Sequence, residues 1–301
     1  MNQKKAIYMA GAGGMLGEAF YKVFKDEYEL TCSDIDVNES WLNELDFRDA
    51  EKYREEVRRS GASFLFHLGA HTDLEYCELH PEDAHSTNTL AVEHAVSIAN
   101  ELDIPLLYIS TAGIFDGEKE LYDDWDQPNP LGQYARTKYA GELFVVNNCR
   151  RFLVCRAGWM MGGGPGKDKK FIRKMMTQLK EGRKELFIVT DKMGTPTYTY
   201  DFAANVKLLL EKESWGLYNM VCEGSTDRFA VTAELVRILG LENEVRLTPV
   251  SSDHFKQTYF ADRPACERLV NKKLNQLGFN IMRDWKTCLN IYIHDHYKGY
   301  L

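Results

Sequence analysis

Tyr134-Ala135-Arg136-Thr137-Lys138 sets a phenol and an ammonium four positions apart, which on a helix is one turn and one face. A cation so placed favours the phenolate, drawing Tyr134 from its ordinary pKa of about 10 toward proton exchange near neutral pH. Upstream, the apolar run Leu106-Leu107-Tyr108-Ile109 ends in Ser110-Thr111. Hydroxyls at a strand end make Thr111 the candidate to hydrogen-bond a carbonyl substrate. Near the N-terminus, Gly11-Ala12-Gly13-Gly14-Met15-Leu16-Gly17 follows a short apolar run, where backbone amides and a helix N-terminus can hold a pyrophosphate. Its spacing, Gly11, Gly14 and Gly17, is one residue longer than the usual dinucleotide fingerprint. Asp34 lies twenty residues after Gly14, where a carboxylate accepts hydrogen bonds from an adenosine ribose and repels a 2′-phosphate. The cofactor is therefore NAD(H) or NADP(H), with Asp34 favouring NAD(H); Asp36 is the alternative acid.

The elements that must position these groups alternate. Strands are predicted over 6–10, 28–32, 63–68, 106–110 and 152–157, with helices over 15–25, 49–59, 84–102 and 133–148 between them. Such alternation implies an α/β fold with a doubly wound parallel sheet covered on both faces, ligands sitting beyond the C-terminal strand ends. Past Trp159 the pattern loosens at Met161-Gly162-Gly163-Gly164-Pro165-Gly166. The expected division is a cofactor-binding Rossmann domain over 1–160 and a smaller, mainly substrate-binding lobe over 161–301, with segments near 186–211 returning to the first domain. In the second half, helices are predicted over 171–180, 201–211 and 232–239, and a strand over 186–189.

Composition excludes several classes. A chain of 301 residues with 44% hydrophobic side chains can bury a sizeable core. Thirty-seven basic against 45 acidic residues leave a net charge of -8, which argues against nucleic acid or anionic lipid as partner. Seven scattered cysteines without a Cys-x-x-Cys pair read as reduced thiols and, with no signal-peptide core or apolar run of membrane-spanning length, as a cytoplasmic protein. No metal site is expected.

In this order, glycine loop, strand-end Thr111 and Tyr134-x-x-x-Lys138, the sequence resembles the extended short-chain dehydrogenase/reductase family, and is most similar to its dTDP-4-dehydrorhamnose reductase branch. Ser110-Thr111-Ala112-Gly113-Ile114-Phe115-Asp116-Gly117 is similar to that branch's Ser-Thr-Asp-Tyr-Val-Phe-Asp-Gly, and Tyr134 to Glu142 to its catalytic helix. Arg156-Ala157-Gly158-Trp159, Asp191 to Thr197 and Arg263-Pro264 carry the likeness through the second half. The resemblance implies reduction of the C4 carbonyl of a nucleotide-linked 4-keto-6-deoxysugar, with Tyr134 as proton donor, Lys138 tuning it and binding the nicotinamide ribose, and Thr111 positioning the substrate. It also implies Asp46 and Phe47 near the adenine, Leu68, Gly69 and Ala70 along the cofactor, Asn88 as a buttress, Trp159 and Arg263 on the nucleotide sugar, and a possible homodimer.

Two departures stand out. Ala112-Gly113 replaces the branch's Asp-Tyr pair, at a position expected to face the sugar, and His71 stands where a tyrosine is expected. The alternatives are a nucleotide-sugar epimerase holding NAD tightly, and a non-catalytic regulatory subunit resembling the methionine adenosyltransferase β subunit. A dehydratase is disfavoured, because its Asp-Glu pair after the hydroxyl is missing.

Overall fold

The computed structural model describes residues 4–301. Strands β1 (Ala6–Ala10), β2 (Glu29–Asp34), β3 (Leu42–Glu44), β4 (Phe64–His67), β5 (Leu106–Thr111) and β6 (Phe152–Ala157) form one sheet with a seventh strand, Gly216–Asn219. The order is 216–219, β6, β5, β4, β1, β2, β3, and every neighbouring pair is parallel. The chain runs outward from β1 through β2 to β3, then returns to β4 on the other side of β1. That reversal opens a crevice beyond the carboxyl ends of β1 and β4, which the glycine loop and residues 68–70 directly follow.

The inner strands read as unbroken apolar runs because helices cover both their faces. Ile7, Met9, Phe66 and Leu107 meet Phe20 of helix α1 (Met15–Phe24) and Phe202 of the helix Thr199–Glu211 on one side. Tyr8, Leu65 and Tyr108 meet Tyr53 of helix α2 (Ala50–Arg59), Val92 of the helix Ala91–Glu101 and Val145 of the helix Gln133–Asn148 on the other. Side chains as completely buried as Phe20, Phe66 and Phe202 contribute about 1.5–3 kcal/mol each. All seven cysteines are free and buried, and no helix among the described residues is long and apolar enough to cross a membrane.

A second core gathers Met176, Leu186, Ile188, Leu235, Leu289 and Tyr292. It unites the helices Phe171–Lys180, Arg228–Ile238 and Trp285–His296 with the parallel strands Glu185–Val189 and Arg246–Val250. The stretch expected to return to the first domain splits. Strand 185–189 stays in the lobe, because Leu186 and Ile188 are buried while Glu185 and Phe187 are exposed, a one-faced pattern unsuited to a sheet covered on both sides. Helix 199–211 packs on α1, and Gly216–Asn219 extends the central sheet beside β6. The single helix predicted over 84–102 is instead Pro81–His85, a π-turn at Ser86–Leu90 and the helix Ala91–Glu101.

Candidate active site

Gly11 adopts φ 74°, and a Cβ there would lie 2.2 Å from Gly69 Cα; only glycine lets the loops after β1 and β4 approach this closely. Gly17 is equally constrained, its absent Cβ falling 2.1 Å from Ala12 O, which seats α1 against the turn. The Gly11 and Ala12 amides donate to Ser33 O, and the Gly13 amide donates to Asp34 Oδ2 at 2.8 Å. Gly14 caps α1 without a side-chain hydrogen bond, so the amides opening α1, at Met15 and Leu16, have no side-chain acceptor there. A pyrophosphate fits that cradle.

Leu68 and Gly69 donate their amides to Ala10 O, which fixes 68–70 along the crevice. Phe47 is 9% exposed and packs on Gly69 and His67, flooring the crevice. Asp46 is held by Arg48, whose guanidinium lowers its pKa. Arg48 also pairs with Asp83, and Asp83 with His71 Nε2 at 2.8 Å. His71 thus lies against the Asp46, Arg48 and Asp83 charges. Asn88, inside the π-turn, donates to His71 O and Thr137 Oγ1 and accepts from the His71 amide. Both hydrogens of its amide are engaged, and its oxygen accepts from residue 71, so it braces that residue.

The three residues expected to react lie around the end of β5. Thr111 is the last residue of β5 and accepts the Gly113 amide on Oγ1 at 3.1 Å. Tyr134 and Lys138 project from the helix Gln133–Asn148, which packs on β5. Lys138, 4% exposed, donates from Nζ to Ile109 O at 2.7 Å. Burial pushes its ammonium down to about 7, with the Glu142 carboxylate opposing. Burial pushes the Tyr134 phenol up to about 12, against the hydrogen bond from Thr111. The lowering of Tyr134 expected from its spacing to Lys138 does not appear: desolvation of the phenolate raises the phenol, and the opposing pull comes from Thr111.

Beneath this group lies a buried ion pair whose role the sequence motifs did not reveal. Arg156, on β6 beside Ser110 in the register, donates from Nε and Nη2 to Glu142 at 2.6–3.2 Å. Their side chains are 4% and 2% exposed. Glu142 stands one turn after Lys138, so the pair pins the helix carrying Tyr134 and Lys138 to the sheet. Such a partner is set by tertiary packing and has no sequence spacing of its own.

Trp159, in a short strand paired with Pro196–Tyr198, does not offer a bare ring. The Arg228 guanidinium lies 3.6 Å from its indole centroid, and a Cβ on Gly194 would come within 2.2 Å of the ring. Glu267 is raised by burial and pulled back by Arg228 and the Trp159 indole. Arg263, expected on a phosphate, pairs with Glu75 at 2.7 Å and donates to Ala261 O. Lys170 donates to Thr72. These last two contacts join the lobe to Thr72 in the loop following β4 and to Glu75 in the helix Leu74–Leu79 after it. Sequence reasoning passed over Arg228, Glu75, Lys170 and Glu267, which stand outside the motifs. Among the described residues no cluster of three or more His, Cys, Asp or Glu could hold a metal ion.

The chain is similar in sequence and fold to known proteins. A dTDP-4-dehydrorhamnose reductase from Escherichia coli strain K12 is 30% identical over 254 residues, covering 80% of this chain and 82% of its own. The solved structure of a dTDP-4-dehydrorhamnose reductase ortholog from Clostridium acetobutylicum superposes with TM-score 0.87 at 28% identity, covering 96% of this chain and 98% of its own. That of the Bacillus anthracis dTDP-4-dehydrorhamnose reductase in complex with NADP superposes with TM-score 0.88 at 25% identity, covering 97% and 100%. The family described as the RmlD substrate binding domain matches residues 5–298, and with the glycine crevice and the Thr111, Tyr134 and Lys138 group in place, the chain belongs to that family of extended short-chain dehydrogenases/reductases.

Proposed function

We propose that this chain is an NAD(P)H-dependent reductase of a nucleotide-linked 4-keto-6-deoxysugar, acting on the C4 carbonyl. The observation that carries the reading is the meeting of Thr111, Tyr134 and Lys138 at the end of β5, beside the crevice at the switch point of the sheet. The names of the relatives support the substrate class, and the NADP in the Bacillus anthracis structure supports a nicotinamide cofactor.

The reduced nicotinamide, when bound, supplies the hydride. A phenol held at about 12 stays protonated at neutral pH, so Tyr134 enters the reaction as the proton donor that carbonyl reduction requires. Thr111 Oγ1 orients the carbonyl oxygen toward it. Lys138 uses one of three ammonium donors on Ile109 O, leaving two for the nicotinamide ribose. Asp34 accepts one bond on each oxygen, from Gly13 and Asp36, and keeps lone pairs for ribose hydroxyls. Asp36 adds a second carboxylate on that loop, and the pair supports NAD(H) as the preferred cofactor. Leu90, Leu143 and Val146 stand exposed on adjoining helices, which supports a homodimer; the seven free cysteines support a cytoplasmic enzyme, and the net charge of -8 one without nucleic acid as partner.

The test follows cofactor absorbance during incubation with a panel of nucleotide 4-keto-6-deoxysugars, NADH and NADPH separately. Stoichiometric oxidation abolished by Tyr134→Phe, with cofactor binding retained, is expected. Tight cofactor binding without oxidation on any sugar contradicts the reading in favour of an epimerase or a regulatory subunit.

A further inference from the structure

The two residues after Thr111 face different ways. Ala112 is fully buried in an apolar cluster with Ile114, Phe115, Tyr122, Val221 and Leu269, so position 112 points into the protein and not at the sugar as the sequence suggested. Gly113 is the one beside the reacting groups. A Cβ built on it lies 3.5 Å from Thr111 Oγ1 and 3.8 Å from Tyr134 Cε1, with no other contact within 4 Å.

Nothing in the fold asks for glycine there. Its φ lies outside the left-handed region, and both contacts are ordinary van der Waals distances, whereas Gly11, Gly17 and Gly69 would each bring a Cβ within 2.2 Å of a neighbour. A glycine without a steric or conformational reason carries a conformational-entropy penalty that a side chain would relieve. What it provides is space, and the bond from its amide to Thr111 Oγ1 holds that space in fixed register with the catalytic hydroxyl.

Building on the ketosugar reading of the site, we infer that Gly113 is a specificity-determining position, whose missing side chain opens a pocket beside Thr111 and Tyr134 for a substituent of several heavy atoms on the sugar carbon adjoining the reacting carbonyl. Thr111 and Tyr134 hold the carbonyl oxygen. The position a Gly113 side chain would take, within 4 Å of both, therefore meets the neighbouring carbon, not the nucleotide. A hydroxyl there leaves the space unfilled; an acylamino group fills it and sets its amide near Thr111 Oγ1.

The test measures binding of a dTDP-linked 6-deoxyhexose and its 3-acetamido counterpart to the cofactor-loaded protein by calorimetry, in wild type, Gly113→Ala and Gly113→Tyr. Unchanged cofactor affinity and melting temperature control for folding. Wild type is expected to bind the acetamido sugar at least as tightly as the plain one. Gly113→Tyr should raise the ratio of acetamido to plain Kd by about 10–100-fold, with Gly113→Ala between. A ratio unmoved by Gly113→Tyr, or a wild type that rejects the acetamido sugar, overturns the inference. Turnover on the matching ketosugars is read separately. Selective binding without cofactor oxidation on any ketosugar refutes the reductase and leaves the pocket supported, while turnover with an unmoved ratio refutes the pocket alone.

Discussion

Glu142→Ala is the perturbation that the structure prices most directly. It leaves the Arg156 guanidinium, 4% exposed, without the carboxylate that takes its Nε and Nη2 hydrogens; what remains is a long bond to Asp124 O at 3.4 Å and the Phe115 ring, 5.3 Å away. An uncompensated buried charge destabilises by about 3–5 kcal/mol. At roughly 2.1 cal/mol/K per residue, a chain of 301 residues unfolds with about 0.6 kcal/mol/K, so the melting temperature should fall by about 5–8 °C. Pairing the change with Arg156→Met removes both charges and should recover most of that loss. Thermal unfolding of the two single variants and the double variant completes a double-mutant cycle. A single variant melting within about 2 °C of wild type, or a double variant no better than the singles, would refute the claim that this pair pins the catalytic helix to the sheet.

Lys138→Met should abolish turnover and change how stability depends on pH. The folded Lys138 sits near 7 because burial penalises its charge, below the ordinary value of about 10.4. Between those values the unfolded chain binds the extra proton, so stability rises with pH, by at most about 1.4 kcal/mol per unit. Urea unfolding at pH 7 and pH 9.5 should show that rise in wild type and a flatter dependence in Lys138→Met; identical slopes count against the buried ammonium. Asp34→Ala should shift the ratio of the KM values for NADH and NADPH by about tenfold in favour of NADPH, one interaction of roughly 1.4 kcal/mol. Thr111→Val should lower kcat by about 10²-fold with cofactor affinity unchanged, as expected for a donor aimed at the carbonyl oxygen, and a normal kcat would remove Thr111 from the mechanism.

The local parts of the site were legible in the sequence because backbone geometry dictates them. The glycines at 11 and 17 are required by close approach, Thr111 by its place at a strand end, and Tyr134 and Lys138 by helical periodicity. Strands β1, β4 and β5 showed as continuous apolar runs, since a sheet covered on both faces needs no alternation, while the edge strands Leu42–Glu44 and Gly216–Asn219 left no such run. Properties that depend on distant neighbours did not show. The phenol rises where spacing suggested a fall, because burial is a tertiary property. Arg263 turned out paired with Glu75, 188 positions away, and the Trp159 ring is occupied by Arg228. Position 112 pointed inward for the same reason: a three-residue turn at 112–114 decides which side chain faces the crevice. In the lobe, strands of two or three residues such as Met193–Gly194 and Thr226–Asp227 are too short to imprint a period.

The central claim is net hydride transfer to a sugar carbonyl with Tyr134 returning the proton. Incubating the protein with NADH deuterated at the transferring C4 position and a nucleotide 4-keto-6-deoxysugar, then locating the label by NMR, tests it directly. The account predicts one deuterium on C4 of the product per cofactor oxidised, and no label with Tyr134→Phe. An epimerised sugar without deuterium and without net cofactor oxidation would contradict it.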